Sequence, residues 1–308
     1  MKKVKKKTYN RKVMIIISVI VFIIVVFFVV RQLVGSFVYV KSEKNQKTES
    51  ANVESNNKVS NDDNVIVHTY DLPEEEQNVA VPQMVYKITP TPKPMPSQTA
   101  FGYSVNGRTI GGWIFGSGSE TIFFFGAIHG SEKGTVSTMN TFARYIFDNP
   151  AVVGKNKRII IIPVANPDGY ANSNRLNGHS VDINRNFDTA GWTPQGANDD
   201  FGGPSVFFEP ESRLIRDLVS NYNVSTMIAF HSKGNLVHPE ANQSSYDLAH
   251  LYSSYSGYRY YNEIVSYEGT ATNWFREKRG GTSITVELTS HTSSDWTKNK
   301  PALLETIN

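Results

Sequence analysis

Uninterrupted blocks of hydrophobic residues along the 308-residue chain predict its strands. Four runs predict buried strands, and the first two of them are continuously apolar, which is typical of strands buried on both faces of a sheet. They are TIFFFGA (121–127), RIIIIPV (158–164), STMIAF (225–230) and TSITVEL (282–288). Between them, 134–147 and 209–222 carry apolar residues at helical spacing. SVNGRTIGGWIFG predicts a β-hairpin that turns at Asn106-Gly107.

Buried strands that alternate with helices predict the fold class. We expect an α/β domain with a mixed, largely parallel twisted sheet and helices on both faces. In such sheets the ligand site lies beyond the carboxyl ends of the strands. His129, His231 and Glu287 each stand at or just past such an end. The pattern therefore predicts a functional site at this edge of the sheet.

The first hundred residues have a different pattern. MIIISVIVFIIVVFFVV (14–30) is uncharged and long enough to cross a bilayer, and the cations before it predict a cytoplasmic N-terminus. A cleaved signal peptide is the alternative, although no A-x-A-like cleavage site is evident. We predict four segments: a cytoplasmic basic tail (1–13), a transmembrane anchor (14–34), a flexible polar and Pro-rich linker (35–97) and a globular domain (98–308).

Charge and cysteine content narrow the possible functions. Residues 1–40 hold eight Lys or Arg and no acid, so the remaining 23 cations against 28 acids give a net charge of −5 outside this segment. A mildly acidic domain does not favour a nucleic-acid surface, and no nucleic-acid partner is expected. The chain has no cysteine. Any metal ion must therefore be bound by histidine and carboxylate side chains.

His129 and Glu132 form an H-x-x-E motif directly after a buried strand. Imidazole nitrogen and carboxylate oxygen are common zinc ligands, and three protein ligands with one open position mark a catalytic zinc site. Gly126 and Gly130 are expected to let the backbone bend sharply around such an ion. His231, at the end of another buried strand, is the candidate third ligand. A solvated loop Glu and a buried structural His are the alternatives.

Other polar side chains interrupt the apolar pattern near these strand ends. Asn184 and Arg185, in VDINRNFD, offer donors that match a carboxylate, and Arg175 follows an earlier Asn. A second arginine near a metal is suited to holding an oxyanion. Glu287 lies inside a buried strand, where a carboxylate is costly unless it is paired or functional. General acid–base catalysis is the functional interpretation, and an ion pair with a buried arginine is the structural one.

In this order the motifs resemble the zinc metallocarboxypeptidases of the carboxypeptidase A type, over about residues 101–308. The resemblance implies one Zn²⁺ bound by His129, Glu132 and His231. It also implies Glu287 as general base and acid and Arg175 as the oxyanion-stabilising group. The substrate's terminal carboxylate would be clamped by Asn184 and Arg185.

The segment VSYEGTATNWF (265–275) resembles the family less closely, because it is about two residues shorter than in the digestive enzymes. By the resemblance, Tyr267 corresponds to a mobile substrate-binding tyrosine and Thr272 lies near the pocket for the terminal side chain. The acidic residue of basic-specific members is not evident here, although Glu268 is close by. A simple preference for Lys or Arg is therefore not expected.

The layout of the chain resembles that of a surface enzyme of a Gram-positive bacterium, anchored in the cell membrane with its catalytic domain outside. Some small bacterial members of the family cleave the γ-D-glutamyl–diaminopimelate bond of peptidoglycan stem peptides, so the resemblance implies a peptide or muropeptide substrate. A general extracellular carboxypeptidase and a non-catalytic binding module are the alternatives. The sequence indicates no oligomeric state.

Overall fold

The computed structural model describes residues 93–194, 201–261, 263 and 267–308, together with two short strands nearer the N-terminus. These strands, β1 (Lys58–Val59) and β2 (Ile66–Val67), form an antiparallel pair. The predicted basic tail and transmembrane anchor lie outside the described residues. Within the described residues, no helix is both long enough and apolar enough to span a bilayer.

An eight-stranded mixed sheet forms the centre of residues 92–308, with strand order β3-β4-β6-β5-β7-β10-β8-β9. Its middle strands β6, β5, β7 and β10 are parallel, and β4 and β8 flank them in antiparallel orientation. The strands are β3 (Thr99–Tyr103), β4 (Thr109–Phe115), β5 (Glu120–Phe125), β6 (Lys157–Ile162), β7 (Val224–Ser232), β8 (Leu236–Pro239), β9 (Arg259–Tyr260) and β10 (Thr282–Leu288).

Helices cover both faces of this sheet, as the sequence predicted. In β5, β6 and β7, alternate residues point to opposite faces and both sets are buried, which explains their apolar runs. Helices α1, α4 and α6 contribute to one core and α3 and α5 to the other. The helices are α1 (Lys133–Asp148), α2 (Pro167–Asn172), α3 (Pro210–Asn221), α4 (Gln243–Ser256), α5 (Ala271–Arg279) and α6 (Trp296–Ile307).

The predicted hairpin is also present, formed by β3 and β4. Ser104 N–H donates to Arg108 O at 2.9 Å, and Gly107 takes a φ of 73° in the connecting turn. Because a positive φ is unstrained in glycine, Gly107 fits this position.

The carboxyl ends of β5, β7 and β10 lie side by side at one edge of the sheet. The sequence placed His231 just after its strand, but β7 continues through Ser232, so His231 lies within it. There His231 is the Cα register partner of Glu287 on β10. The parallel pairing thus brings together two residues that are far apart in the sequence.

Candidate active site

Three metal-ligand side chains converge at this edge of the sheet. His129 lies in the loop after β5, Glu132 directly precedes α1, and His231 lies in β7. All three side chains are buried. The Nδ1 atoms of the two imidazoles are 3.1 Å apart. Glu132 places Oε1 2.9 Å from Nδ1 of His129 and Oε2 3.3 Å from Nδ1 of His231. One ligand atom from each residue lies within 4.8 Å of the others.

This donor set fits a zinc ion. Ligand atoms bound at about 2.0–2.2 Å around a tetrahedral ion lie roughly 3.3 Å from one another, close to the separations observed. Glu132 Oε2 is buried without a hydrogen bond in the described part of the chain, so it has a lone pair to offer. Burial alone would lower the pKa of His129, but the carboxylates of Asp182 and Glu132 outweigh it and raise the pKa to about 9. The electrostatic potential of the cluster therefore favours binding of a cation.

Asp182 supports the cluster from the far side of His129. Its Oδ1 lies 3.2 Å from Nε2 of His129, and its Oδ2 accepts hydrogen bonds from Nε and Nη2 of Arg175 at 3.1 and 2.6 Å. Burial would raise the pKa of Asp182, but His129 and Arg175 together hold it well below its usual range. A carboxylate on the second ring nitrogen fixes the orientation of a ligating histidine. The sequence analysis missed Asp182, whose only signal is its place two residues before Asn184.

In the loop that carries His129, the backbone at Gly130 lies against the backbone at Gly169. A Cβ on Gly130 would lie 2.0 Å from the carbonyl carbon of Gly169. Neither Gly126 nor Gly130 has a positive φ, whereas Ala127 between them takes a φ of 43°. The backbone bends at 128–129 and turns at Gly130, as expected, and the missing side chain of Gly130 also lets two backbone segments touch.

Glu287 lies beside the cluster on β10. Burial raises the pKa of its carboxyl group, and Glu132 adds to this effect, while His231 and His129 oppose it. The backbone approaches closely on its other side, since a Cβ on Gly234 would lie 3.0 Å from the Cβ of Glu287. A carboxyl group with a raised pKa is suited to accept and return a proton near neutral pH.

A cavity of about 460 Å³ opens over these groups. All nine of the site residues predicted from the sequence line it. They are His129, Glu132, Arg175, Asn184, Arg185, His231, Tyr267, Thr272 and Glu287. The sequence alone identified these residues, but only the fold places them around one space.

One side of the cavity carries the predicted carboxylate clamp. Asn184 accepts a hydrogen bond from Ala271 N–H at 3.0 Å, and its Nδ2 lies 3.4 Å from Nε2 of His231. Arg185 donates to the carbonyl of Asn184 at 2.9 Å, and its guanidinium carbon lies 6.0 Å from the ring centre of Tyr267. The Tyr267 side chain is half exposed. Hydrogen bonds to Asn184 therefore fix the predicted clamp, and it lies next to an aromatic ring that is partly exposed to solvent.

The sequence analysis also missed Glu240, a second acid in the cavity wall. Glu240 directly follows β8 and accepts a hydrogen bond at Oε1 from Thr272 Oγ1 at 2.8 Å. Glu268, which the sequence analysis noted close to this region, accepts a hydrogen bond from the backbone N–H of Gly191 at 3.1 Å. His238 lines the cavity too, facing the rings of Tyr261 and Tyr267.

Among curated proteins, the chain is 24% identical over 278 residues to the gamma-D-glutamyl-L-diamino acid endopeptidase 1 of Lysinibacillus sphaericus, covering 73% of this chain and 69% of that protein. It is 29% identical over 162 residues to the carboxypeptidase B of Astacus astacus, covering 44% of this chain and 54% of that protein, so only about half of the second relative is matched.

Solved structures share the fold. The carboxypeptidase A of Helicoverpa armigera superposes with a TM-score of 0.57 at 20% identity, covering 68% of this chain and 65% of that one. The murein-tripeptide amidase MpaA of Escherichia coli O157 superposes with a TM-score of 0.54 at 20% identity, covering 68% of this chain and 90% of that one.

The family model for zinc carboxypeptidases matches residues 91–303, which include the whole sheet, the ligand cluster and the cavity. The resemblance seen in the sequence is thereby confirmed, and the class of enzyme, a metal-dependent peptide hydrolase, follows from it. This chain belongs to the zinc carboxypeptidase family, peptidase M14.

Proposed function

We propose that the chain hydrolyses the amide bond before a residue with a free carboxylate, in peptidoglycan stem peptides of the γ-D-glutamyl–diaminopimelate type. One observation carries the proposal: a ligand cluster, a carboxyl group and a guanidinium group line the same cavity. The likeness to an endopeptidase for γ-D-glutamyl-diamino acid bonds and to a murein-tripeptide amidase supports the choice of substrate.

His129, Glu132 and His231 would hold one Zn²⁺. When bound, the ion supplies Lewis acidity toward water and toward the substrate carbonyl. Glu287 takes a proton from the attacking water and returns it to the leaving amine, a role that its raised pKa favours. Arg175, whose Nη1 lies 3.2 Å from Nδ1 of His129, is placed beside the ligands to stabilise the developing oxyanion.

Arg185 and Asn184 decide which bond is cut, because they bind the free carboxylate of the residue to be released. Diaminopimelate in a stem tripeptide presents such a carboxylate, and so does the last residue of an ordinary peptide. The likeness to a carboxypeptidase B makes a general extracellular carboxypeptidase the second candidate. A purely binding role is disfavoured, because the ligands and Glu287 are all retained.

The test is incubation of the full-length, zinc-loaded chain in detergent with defined muropeptides, followed by mass spectrometry. We expect release of diaminopimelate, or of a fragment that begins with it, and we expect the release to stop when a chelator is added. Glu287→Gln with zinc retained serves as the inactive control. Release only of ordinary C-terminal residues from linear peptides would favour the second candidate, and no hydrolysis of either substrate would refute both.

We also propose that residues 14–34 anchor the chain in the cell membrane, with the catalytic domain outside. The support is the uncharged apolar run and the cations that precede it. After expression in a Gram-positive host, the full chain should sediment with membranes and be accessible to external protease, and deletion of residues 1–34 should abolish the sedimentation. Recovery of the intact full chain in the soluble fraction would contradict the anchor.

A further inference from the structure

Glu240 is a buried acid in the cavity that the proposed mechanism does not use. Its side chain is 3% exposed, and its backbone N–H donates to the carbonyl of Ser283 on β10 at 3.1 Å. The residue is therefore fixed to the sheet. It lines the same cavity as Arg185 and Glu287, on the wall that also carries Thr272.

The two oxygens of this carboxyl group have different surroundings. Oε1 accepts the hydrogen bond of Thr272, whereas Oε2 is buried with no hydrogen-bond partner among the described residues. A buried acceptor without a partner is costly, and native structures retain few of them. Since Thr272 occupies one oxygen and the residue lines the cavity, Oε2 is the acceptor available to an incoming group.

Arg276, whose charge acts on Glu240, does not supply that partner. Its Nη2 instead donates to Asn273 and Glu277 at 2.5 and 3.1 Å. Glu277 and Glu268 add negative charge near Glu240. The surroundings of this wall thus favour a cationic hydrogen-bond donor entering from the cavity.

We propose that Glu240 is the specificity-determining residue of the cavity, and that it selects a released residue whose side chain ends in an ammonium group. The class includes lysine and diaminopimelate, which both carry an ammonium nitrogen on the ε carbon. The inference rests on the proposed function, since Arg185 must hold the carboxylate of the same residue. A residue bound at both points has its side-chain length fixed by the two contacts, whereas an apolar side chain of equal length leaves Oε2 unpaired.

This assignment revises the expectation from the sequence that the chain has no simple preference for Lys or Arg. That expectation considered only the segment 265–275, whose one acid is Glu268. The acid in the wall comes instead from the end of β8, on the antiparallel side of β10.

The test compares three peptides that differ only in the last residue: lysine, Nε-acetyllysine and norleucine. The full-length zinc-loaded chain should hydrolyse the lysine peptide with a kcat/KM about 30-fold or more above that for norleucine, the size expected for a buried charged pair. Glu240→Gln keeps the shape and removes the charge, so it should reduce this ratio to near one. Glu305→Gln, the same change at an exposed acid on α6, should leave the ratio unaltered.

A binding measurement separates this inference from the proposed function. Free lysine and norleucine are titrated by calorimetry into wild type and Glu240→Gln, and lysine should bind more tightly to wild type only. If no peptide is hydrolysed but lysine binds selectively, the proposed function fails and the assignment of Glu240 stands. Equal kcat/KM for lysine and norleucine in wild type, or a preference that survives in folded Glu240→Gln, would overturn the assignment.

Discussion

The buried carboxyl group of Glu240 should make the stability of the domain depend on pH. Burial raises its pKa to about 7, partly offset by the Thr272 hydrogen bond and the charge of Arg276. In the unfolded chain the same group is exposed to water and titrates at the ordinary glutamate pKa of 4.5. Between these two values the folded chain binds more protons than the unfolded chain, so the free energy of unfolding falls as pH rises.

The size of the effect follows from the difference between the two pKa values. A difference of about 2.5 pKa units corresponds to about 3 kcal/mol, because each unit is worth about 1.4 kcal/mol. The cost is absent below about pH 4.5 and fully present above about pH 7. Glu240→Gln has no proton to lose. Relative to wild type, the variant should therefore gain about 3 kcal/mol of stability between about pH 5 and pH 8.

Urea unfolding of both full-length chains across this pH range, in the same metal state, measures the gain. Titrations at other sites cancel when the wild-type value is subtracted from the variant value. Glu305→Gln, which neutralises an exposed acid on α6, is the matched control and should show a flat difference. A flat difference for Glu240→Gln, or one that decreases with pH, would refute the reasoning and show that the carboxylate is already well paired.

Four further predictions concern the active site. Glu287→Gln should lower kcat by about 10²–10⁴-fold with zinc content unchanged, as checked by turnover and metal analysis; undiminished turnover would exclude the proton-transfer role. Asp182→Asn should weaken zinc affinity about 10–100-fold in a competition titration with a chromogenic chelator, and an unaltered affinity would contradict its supporting role. Gly234→Ala should reduce kcat, because the added Cβ lies 3.0 Å from the Cβ of Glu287 and should displace its carboxyl group. An unchanged kcat would show that the backbone shifts to accommodate the methyl group without moving that carboxyl group. Arg185→Met should raise KM far more for peptides with a free terminal carboxylate than for their amides, whereas equal changes would show that it does not bind this group.

The sheet and most of the site could be predicted from the sequence for one physical reason. A strand covered by helices on both faces is apolar at nearly every position. The segments 121–127, 158–164 and 225–230 could therefore be recognised as strands from their apolar residues. Parallel strands present their carboxyl ends at one edge, so His129 and His231 could be expected to meet. Their contact also requires β5 and β7 to be neighbours, which only the strand order of the folded sheet shows.

What the sequence did not show depends on strand pairing and on short elements. Glu240 follows a four-residue strand whose antiparallel pairing with β10 leaves no periodic signal. Asp182 lies in a polar loop, and only the fold places its carboxylate against His129. The close approach of Gly130 to Gly169 is a contact between two distant backbone segments, which local sequence does not encode.

The central claim is that His129, Glu132 and His231 bind one divalent ion. Zinc K-edge X-ray absorption on the reconstituted full-length chain tests it most directly. We predict one zinc ion per chain with scattering from two imidazole rings and at least one oxygen ligand, at about 2.0–2.2 Å. A spectrum with fewer than two imidazoles, or a chain that retains no zinc after reconstitution, would contradict the account.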